Sequence, residues 1–280
     1  MDGIVFLAVL GAALCHAGWN ALLKLDLEPL LAITLISVAC GVVAIPMLPF
    51  AGLLHPSAWP YIAGSLALHL VYYTALAEAY KTGDLGQVYP IARGSAPLMT
   101  SIGAAFILDE RLGPVGWSGI VLLASGILTL SLGGARSLPA NPRTVGFALL
   151  TAVSIALYTL VDGAGVRTSQ NVAAYVAWLF FLDGLMMAVF GYWYARQRFI
   201  EAARAKWRLV AFGGVLSTLA YAIALWAMTR APIGLVAALR ETSVLFAAAI
   251  GIVFLGERLS RARIIAALLV VAGLMLIRLK

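Results

Sequence analysis

The pentapeptide Leu108-Asp109-Glu110-Arg111-Leu112 returns 147 residues later as Leu255-Gly256-Glu257-Arg258-Leu259. The same offset lays Arg93 on Arg240, Leu98 on Leu245, Thr82 on Thr229 and Gly126 on Gly273. Charged and glycine positions that coincide at a single offset are not what chance likeness between oily segments produces. The chain therefore reads as one unit used twice, over residues 1–135 and 143–280. Each copy of the pentapeptide closes one long apolar run and precedes another.

A helix needs about 20 mostly apolar residues to cross a bilayer. Ten such runs are legible, at roughly 3–23, 29–50, 57–80, 86–108, 114–133, 143–163, 172–194, 207–229, 232–256 and 260–279. Pro29, Pro56, Pro114 and Pro142 stand at or just before the starts of four of them, where a missing N–H costs a helix nothing. Five runs fall in each copy. An odd number turns the second copy upside down, so the expected fold is an all-α membrane protein with ten transmembrane helices in two inverted five-helix repeats. The hydrophilic stretch 195–208 reads as the longest connection.

Composition sets the excluded classes. Of 280 residues, 63% are hydrophobic and 11% charged, against about 45–50% and about 25% in soluble domains. A disordered chain and an ordinary soluble enzyme are excluded. The net charge of +7 has no aqueous surface large enough to hold nucleic acid. Two cysteines, Cys15 and Cys40, both in apolar runs, make neither a disulfide framework nor a metal cage. With no Gly-rich phosphate loop and no HExxH helix, ATP-driven transport and metal chemistry have no carrier, and no cofactor or catalytic residue is expected. The acidic start, Met1-Asp2-Gly3, makes the first run an uncleaved helix rather than a secretory signal.

Of the 19 Lys and Arg residues, 12 fall in the connections after the first, third, fifth, seventh and ninth runs, Lys24, Lys81, Arg136 and Arg204 among them. Five lie on the other side, and Arg93 and Arg240 lie inside runs. Basic loops stay in the cytoplasm, so both termini are expected outside it.

Two five-helix halves, each with a Glu-Arg-Leu turn before its last helix, resemble the drug/metabolite transporter superfamily, and within it the EamA family. Tyr89-Pro90-Ile91-Ala92-Arg93-Gly94 and Leu239-Arg240-Glu241-Thr242-Ser243 sit where that family has its fourth and ninth helices. The resemblance covers the whole chain. It implies a multi-pass protein of the bacterial inner membrane, often an exporter of amino acids, sugars, purines or other metabolites. It implies a central cavity among helices 1, 3, 4, 6, 8 and 9, and a homodimer packed through helices 5 and 10.

The residues themselves mark the cavity. A charge at a helix centre costs about 2.5–3.5 kcal/mol on insertion, so it faces a cavity or a partner. Arg93 and Arg240 each fall roughly 10–12 Å below their own membrane surface at 1.5 Å per residue, approaching the midplane from opposite sides. Two guanidinium groups there suit a carboxylate or phosphate. The alternative is that internal carboxylates consume them, with Glu78, Asp162, Asp183 and Glu241 on hand. His16 and Asn20 share one face of the first helix beside Trp19. His69, Tyr72 and Tyr73 cluster on the third, Tyr158 and Asp162 on the sixth, and Tyr221 on the eighth. With Tyr89, Arg93, Arg240 and Glu241 they form the expected substrate set; buried polar glue between helices is the competing reading. Asp183, His16 and His69 are the candidates for proton coupling. Pro90 and Pro97 around Arg93 make the fourth helix the expected bending element. Glu110-Arg111 and Glu257-Arg258 read as local ion pairs at tight turns.

The expected activity is secondary transport of a small zwitterionic or anionic metabolite, such as an amino acid, by alternating access, with the bilayer and that solute as partners. A lipid or headgroup flippase, or a small-molecule channel, stays open on the same fold. A membrane-embedded enzyme fits less well, because His16, His55 and His69 are scattered.

Overall fold

The computed structural model describes residues 1–23, 28–82, 85–132, 141–255 and 260–279; the side chains of some helix residues beside the gaps, Tyr89 and Pro90 among them, lie outside the described residues, as do Lys24, Glu257 and Arg258. All regular structure in the described part is helical. In chain order the elements are α1 (Gly3–Leu23), α2 (Pro29–Ala44), α3 (Leu48–Ala51), α4 (Trp59–Thr82), α5 (Leu85–Ile107), α6 (Pro114–Leu132), α7 (Pro142–Ser169), α8 (Val172–Ala205), α9 (Trp207–Met228), α10 (Ile233–Arg240), α11 (Ser243–Leu255) and α12 (Arg261–Leu279). A 3-10 turn, Ile45–Met47, carries α2 into the single turn of α3. Starts follow local chemistry. Prolines open α2, α6 and α7, where the first N–H has no partner in any helix. The side chains of Asn141 and Asn171 cap α7 and α8, accepting from Arg143 N at 3.0 Å and Ala174 N at 3.1 Å.

Eight described segments are long and apolar enough to cross a membrane: Gly3–Asn20, Leu30–Ala51, Pro56–Lys81, Pro142–Ser169, Val172–Ala205, Trp207–Met228, Ile233–Ile250 and Arg261–Leu279. The more polar α5 and the shorter apolar Pro114–Thr129 of α6 occupy the fourth and fifth places of the ten runs. Large apolar side chains such as Ile4, Phe106, Trp193 and Leu268 are exposed on the outside, which in water would be an aggregation surface and in lipid is the solvated face.

Neighbours come in matched pairs. α4 packs on α7 as α9 packs on α1; α5 lies against α7 as α11 lies against α1; and α2 meets α8, α6 meets α12, and α5 meets α10. Exchanging each helix for its counterpart in the other half maps this set onto itself. α6 and α12 thus pack on each other within one chain. Two glycines bring the backbones of α2 and α8 together. A Cβ on Gly184 would stand 2.6 Å from Gly41 Cα, and one on Gly41 would stand 2.9 Å from Gly184 Cα. Backbone cannot yield as a side-chain tip can. Gly184→Val is expected to force the pair apart and destabilise the fold by about 1–3 kcal/mol, read as a lower unfolding temperature of purified protein in detergent.

Three expectations change. The ninth run is not continuous: α10 ends at Arg240 and α11 begins at Ser243. Thr242 Oγ1 donates to Leu239 O at 2.7 Å, taking a carbonyl the helix would use, and the following N–H groups of Val244 and Leu245 turn back only three residues, to Glu241 O and Thr242 O. The expected bending element, α5, instead runs unbroken past Pro97. Finally, the stretch read as a connection at 195–208 is helical to Ala205, after a break at Ala195 (φ −150°, ψ 47°) that marks the end of the apolar run.

Candidate functional site

The break between α10 and α11 places two consecutive charges, Arg240 and Glu241, inside the bundle, at 8% and 4% exposure. α5 brings Arg93 to meet them. Its Nε lies 3.0 Å from Glu241 Oε2, and its Nη2 lies 2.9 Å from His16 Nε2 on α1. Trp19 Nε1 donates to His16 Nδ1 at 3.2 Å. Both ring nitrogens thus face groups that can only donate, and because a neutral imidazole keeps a proton on one nitrogen, it accepts from only one of the two. Asn20 turns away from this centre; its Nδ2 donates to the carbonyl of His16 at 2.8 Å.

Arg240 is differently placed. Its guanidinium carbon stands 5.0 Å from the ring centre of Tyr221 on α9, a cation–π contact. Among the described residues it forms no ion pair, and its Nη1 is buried with no hydrogen-bond partner. Ser243 Oγ, just past the break, is likewise buried without a partner. Leaving such a group unsatisfied costs about 1–3 kcal/mol. The internal carboxylate therefore belongs to Arg93.

Behind Tyr221 lies Asp162 on α7, fully buried. Tyr221 Oη donates to its Oδ2 at 2.5 Å and Tyr175 Oη to its Oδ1 at 2.9 Å, so each oxygen has a donor. Tyr158, one turn earlier on α7, stacks on His69 of α4 (ring centres 4.4 Å apart, 20° between planes) and meets Tyr72 edge-on at 5.9 Å. His69 Nδ1 lies 2.9 Å from the carbonyl of Ser65. A ring contact of 6.0 Å from His69 to Tyr73 leads to a second buried acid. Tyr73 Oη donates to Asp183 Oδ2 at 3.2 Å and shares a 2.9 Å hydrogen bond with Ser37 Oγ. The seventh helix, expected at the periphery, carries Asp183 inward at 6% exposure.

The expected residues thus fall into three contact groups: Trp19, His16, Arg93 and Glu241; Arg240, Tyr221 and Asp162; and His69, Tyr72, Tyr73 and Tyr158. Asn20 is spent on its own helix, and Tyr89 lies outside the described residues. Tyr175 has no counterpart among the expected site residues. It stands 13 positions from Asp162 across a helix turn, a spacing that carries no periodic signal. His55 sits apart and exposed, 2.7 Å from Ser57 Oγ.

The expected local pair of Glu110 with Arg111 is replaced by a long-range clasp. Arg111 Nε lies 3.6 Å from Asp109, in the open. Glu110 Oε1 accepts from Arg167 Nη2 at 2.7 Å and from Ile233 N at 3.0 Å, and its Oε2 from Gly234 N at 3.4 Å. One carboxylate therefore caps the first turn of α10, where the helix dipole favours negative charge. Arg167 also donates to the carbonyls of Met228, at 2.7 Å, and Ala231, at 3.0 Å. The ends of α5, α7 and α9 and the start of α10 are tied at one point.

Because Arg93 and Glu241 neutralise each other out of water, Arg93→Ala is expected to strand a buried carboxylate and destabilise the protein by about 3–5 kcal/mol. The double variant Arg93→Ala/Glu241→Gln should regain most of that loss. Thermal unfolding of the single and double variants checks the coupling.

Comparison with known proteins gives three likenesses. The model of the EamA-like transporter family matches residues 3–132 and again 143–279. The spermidine export protein MdtI of Salmonella arizonae (strain ATCC BAA-731 / CDC346-86 / RSK2980) is 35% identical over 68 residues, 24% of this chain; the match spans 62% of that protein's length. A solved crystal structure aligns over 99% of this chain and 96% of its own, at TM-score 0.76 and 18% identity, a likeness of fold.

Proposed function

Since the chain belongs to the EamA-like transporter family, and is accordingly an integral multi-pass membrane transporter, we propose that it moves a small zwitterionic or anionic metabolite, such as an amino acid, as a secondary exporter working by alternating access. Arg240 carries this reading: a buried guanidinium with an unpartnered nitrogen, at the break of a discontinuous helix, beside the unpartnered hydroxyl of Ser243. Two orphaned polar groups three positions apart suit one acidic group of a bound solute. Discontinuous helices near the midplane are where transporters of repeated architecture hold their substrates. Tyr221, Tyr158 and Trp19 offer ring faces for the rest of the molecule.

The architecture we propose has ten spans in two inverted units, 1–135 and 143–280. The matched neighbour pairs of the bundle support it. So does the hydrogen bond of 2.7 Å from Arg278 Nη1 to Met1 O, which places α1's start and α12's end on one side, as an even number of crossings requires. With the Lys and Arg bias, that side is non-cytoplasmic in a bacterial inner membrane, and the Glu110–Arg167 clasp closes it. The central cluster then waits on a path closed to the exterior, the resting state expected of an exporter. The exposed outer faces of α6 and α12 remain available for a homodimer. No catalytic role is assigned to any residue.

Similarity to a spermidine exporter raises a polycation as the second reading. The acids of the site speak against it: Glu241 is paired with Arg93, and both oxygens of Asp162 are held by tyrosines. The test is counterflow in proteoliposomes, with a panel of labelled amino acids and small organic acids beside labelled spermidine. Saturable exchange of an amino or organic acid is expected. Exchange of spermidine alone would replace the anion reading, and flux without counterflow would favour a channel.

A further inference from the structure

We propose that Asp183 is a proton-binding site at the seam between the two halves, loaded through Tyr73 from a crevice between α2, α4 and α8; as a coupling site it rests on the transporter reading. Asp183 and Glu241 each hold a carboxylate oxygen that is buried without a hydrogen-bond partner, but that of Glu241 lies 3.0 Å from Arg93 Nε, whereas no ion pair among the described residues neutralises Asp183. Its Oδ2 accepts from Tyr73, while its Oδ1 is buried and has no hydrogen-bond partner. Asp162 has a donor on each oxygen, so a proton there would collide with a hydroxyl that already donates. Both nitrogens of His16 face obligate donors. Asp183 can take a proton on Oδ2 because Tyr73, which donates to that oxygen, has Ser37 Oγ at 2.9 Å toward which its own hydroxyl hydrogen can turn.

The three-membered chain Ser37–Tyr73–Asp183 has two self-consistent directions. With the carboxylate ionised, Ser37 Oγ donates to Tyr73 Oη, which donates to Asp183 Oδ2. With the acid protonated on Oδ2, Asp183 donates to Tyr73, which donates to Ser37. Proton arrival balances along it: a proton taken up by Tyr73 Oη is matched by transfer of the tyrosine's own hydroxyl proton to Asp183 Oδ2, and the tyrosine stays neutral.

Tyr73 also stands in the wall of a crevice of about 180 Å³ between α2, α4 and α8, with Leu70, Met187 and Phe190 as walls and Glu78 and Lys81 at its charged end. The crevice thus runs from an ion pair at the end of α4, 2.6 Å long, to the side chain of Tyr73, whose hydroxyl touches Asp183. The residue after Asp183 is Gly184, which lies backbone to backbone against Gly41 of the other half. A charge that appears and disappears beside that contact acts where α2 and α8 must slide. The titratable groups around Asp183 are Cys40 on α2, His69 and Tyr73 on α4, and Asp162 on α7.

Infrared difference spectra of the purified full-length protein, taken between mildly acidic and mildly alkaline buffer in H2O and D2O, read the carboxylic acid directly. We expect an acid C=O band in the wild type, its loss in D183N, its persistence in D162N, and a shifted frequency and midpoint in Y73F. A band that survives in D183N, or is unchanged in Y73F, overturns the site or its loading route respectively. Y73F keeps the test open should D183N fail to fold. In proteoliposomes, D183N should keep counterflow of the labelled acids and lose their accumulation under an imposed pH gradient; retained accumulation overturns the coupling. The infrared result needs no substrate, so absence of all counterflow in the wild type would sink the transporter reading and leave the proton site standing.

Discussion

Arg240→Ala is expected to yield a folded protein that neither binds nor exchanges the acids carried by the wild type. The two central arginines separate here. Removing Arg93 strands Glu241, so its loss is first a loss of stability. Arg240 forms no ion pair among the described residues, so its removal leaves Glu241 still paired with Arg93 and forfeits its contact with the Tyr221 ring, about 0.5–2 kcal/mol, and its electrostatic support of neighbouring Glu241. On the ligand side, truncating one partner of a buried, hydrogen-bonded charge pair costs about 2–5 kcal/mol, roughly a 30- to several-thousand-fold loss of affinity. Arg240→Lys keeps the charge and loses the planar fork that grips two oxygens at once, and should fall between. Calorimetric titration with whichever amino or organic acid shows counterflow gives the affinity, and an unfolding scan of the same samples gives the stability. Unchanged affinity in the alanine variant, with the fold intact, would remove Arg240 from the site.

Much of this was legible in the chain because charge in hydrocarbon is expensive. Arg93 and Arg240 stand out as charges inside apolar runs, and the 147-residue offset relates one to the other before any coordinates. The same cost made Asp162, Asp183 and Glu241 conspicuous. The division of labour was not legible. Which carboxylate Arg93 takes depends on where the ninth helix breaks, and that break rests on Thr242 Oγ1 capturing a carbonyl at 2.7 Å, a local competition that hydrophobic periodicity does not register. Proline did not mark a break: Pro97, which has no N–H to donate to the carbonyl four residues before it, sits inside a continuous α5. Asn20 shows the limit of helical spacing. It lies one turn from His16 as the pattern requires, yet its amide is spent on the backbone. Glu110 shows the limit of adjacency, since its cationic partner is 57 residues away rather than next door.

Glu110→Gln and Arg167→Ala are expected to open the bundle at the clasp. Glu110 is held by three donors and its side chain is only 9% exposed, while Arg167 is 36% exposed. The carboxylate is thus the buried half of the pair and the half that caps α10. A hydrogen bond to a charged group contributes about 1.5–3 kcal/mol net. Losing that bias in the closed state alone shifts the closed–open balance roughly 10- to 150-fold, because only the closed arrangement makes these bonds. Ser101 reports the change. It lies on α5 with its Oγ 3.3 Å from Gly234 O, beside the first turn of α10 that Glu110 holds, and it is fully buried. In a background with Cys15 and Cys40 replaced by alanine, Ser101→Cys should resist an impermeant maleimide applied from the side of the clasp and react readily once Glu110→Gln or Arg167→Ala is added. Arg111→Ala, next in sequence and paired with exposed Asp109, should change nothing. Equal labelling with and without the clasp variants would mean that the α5–α10 seam is held shut by apolar packing, with Glu110 a cap and not a latch.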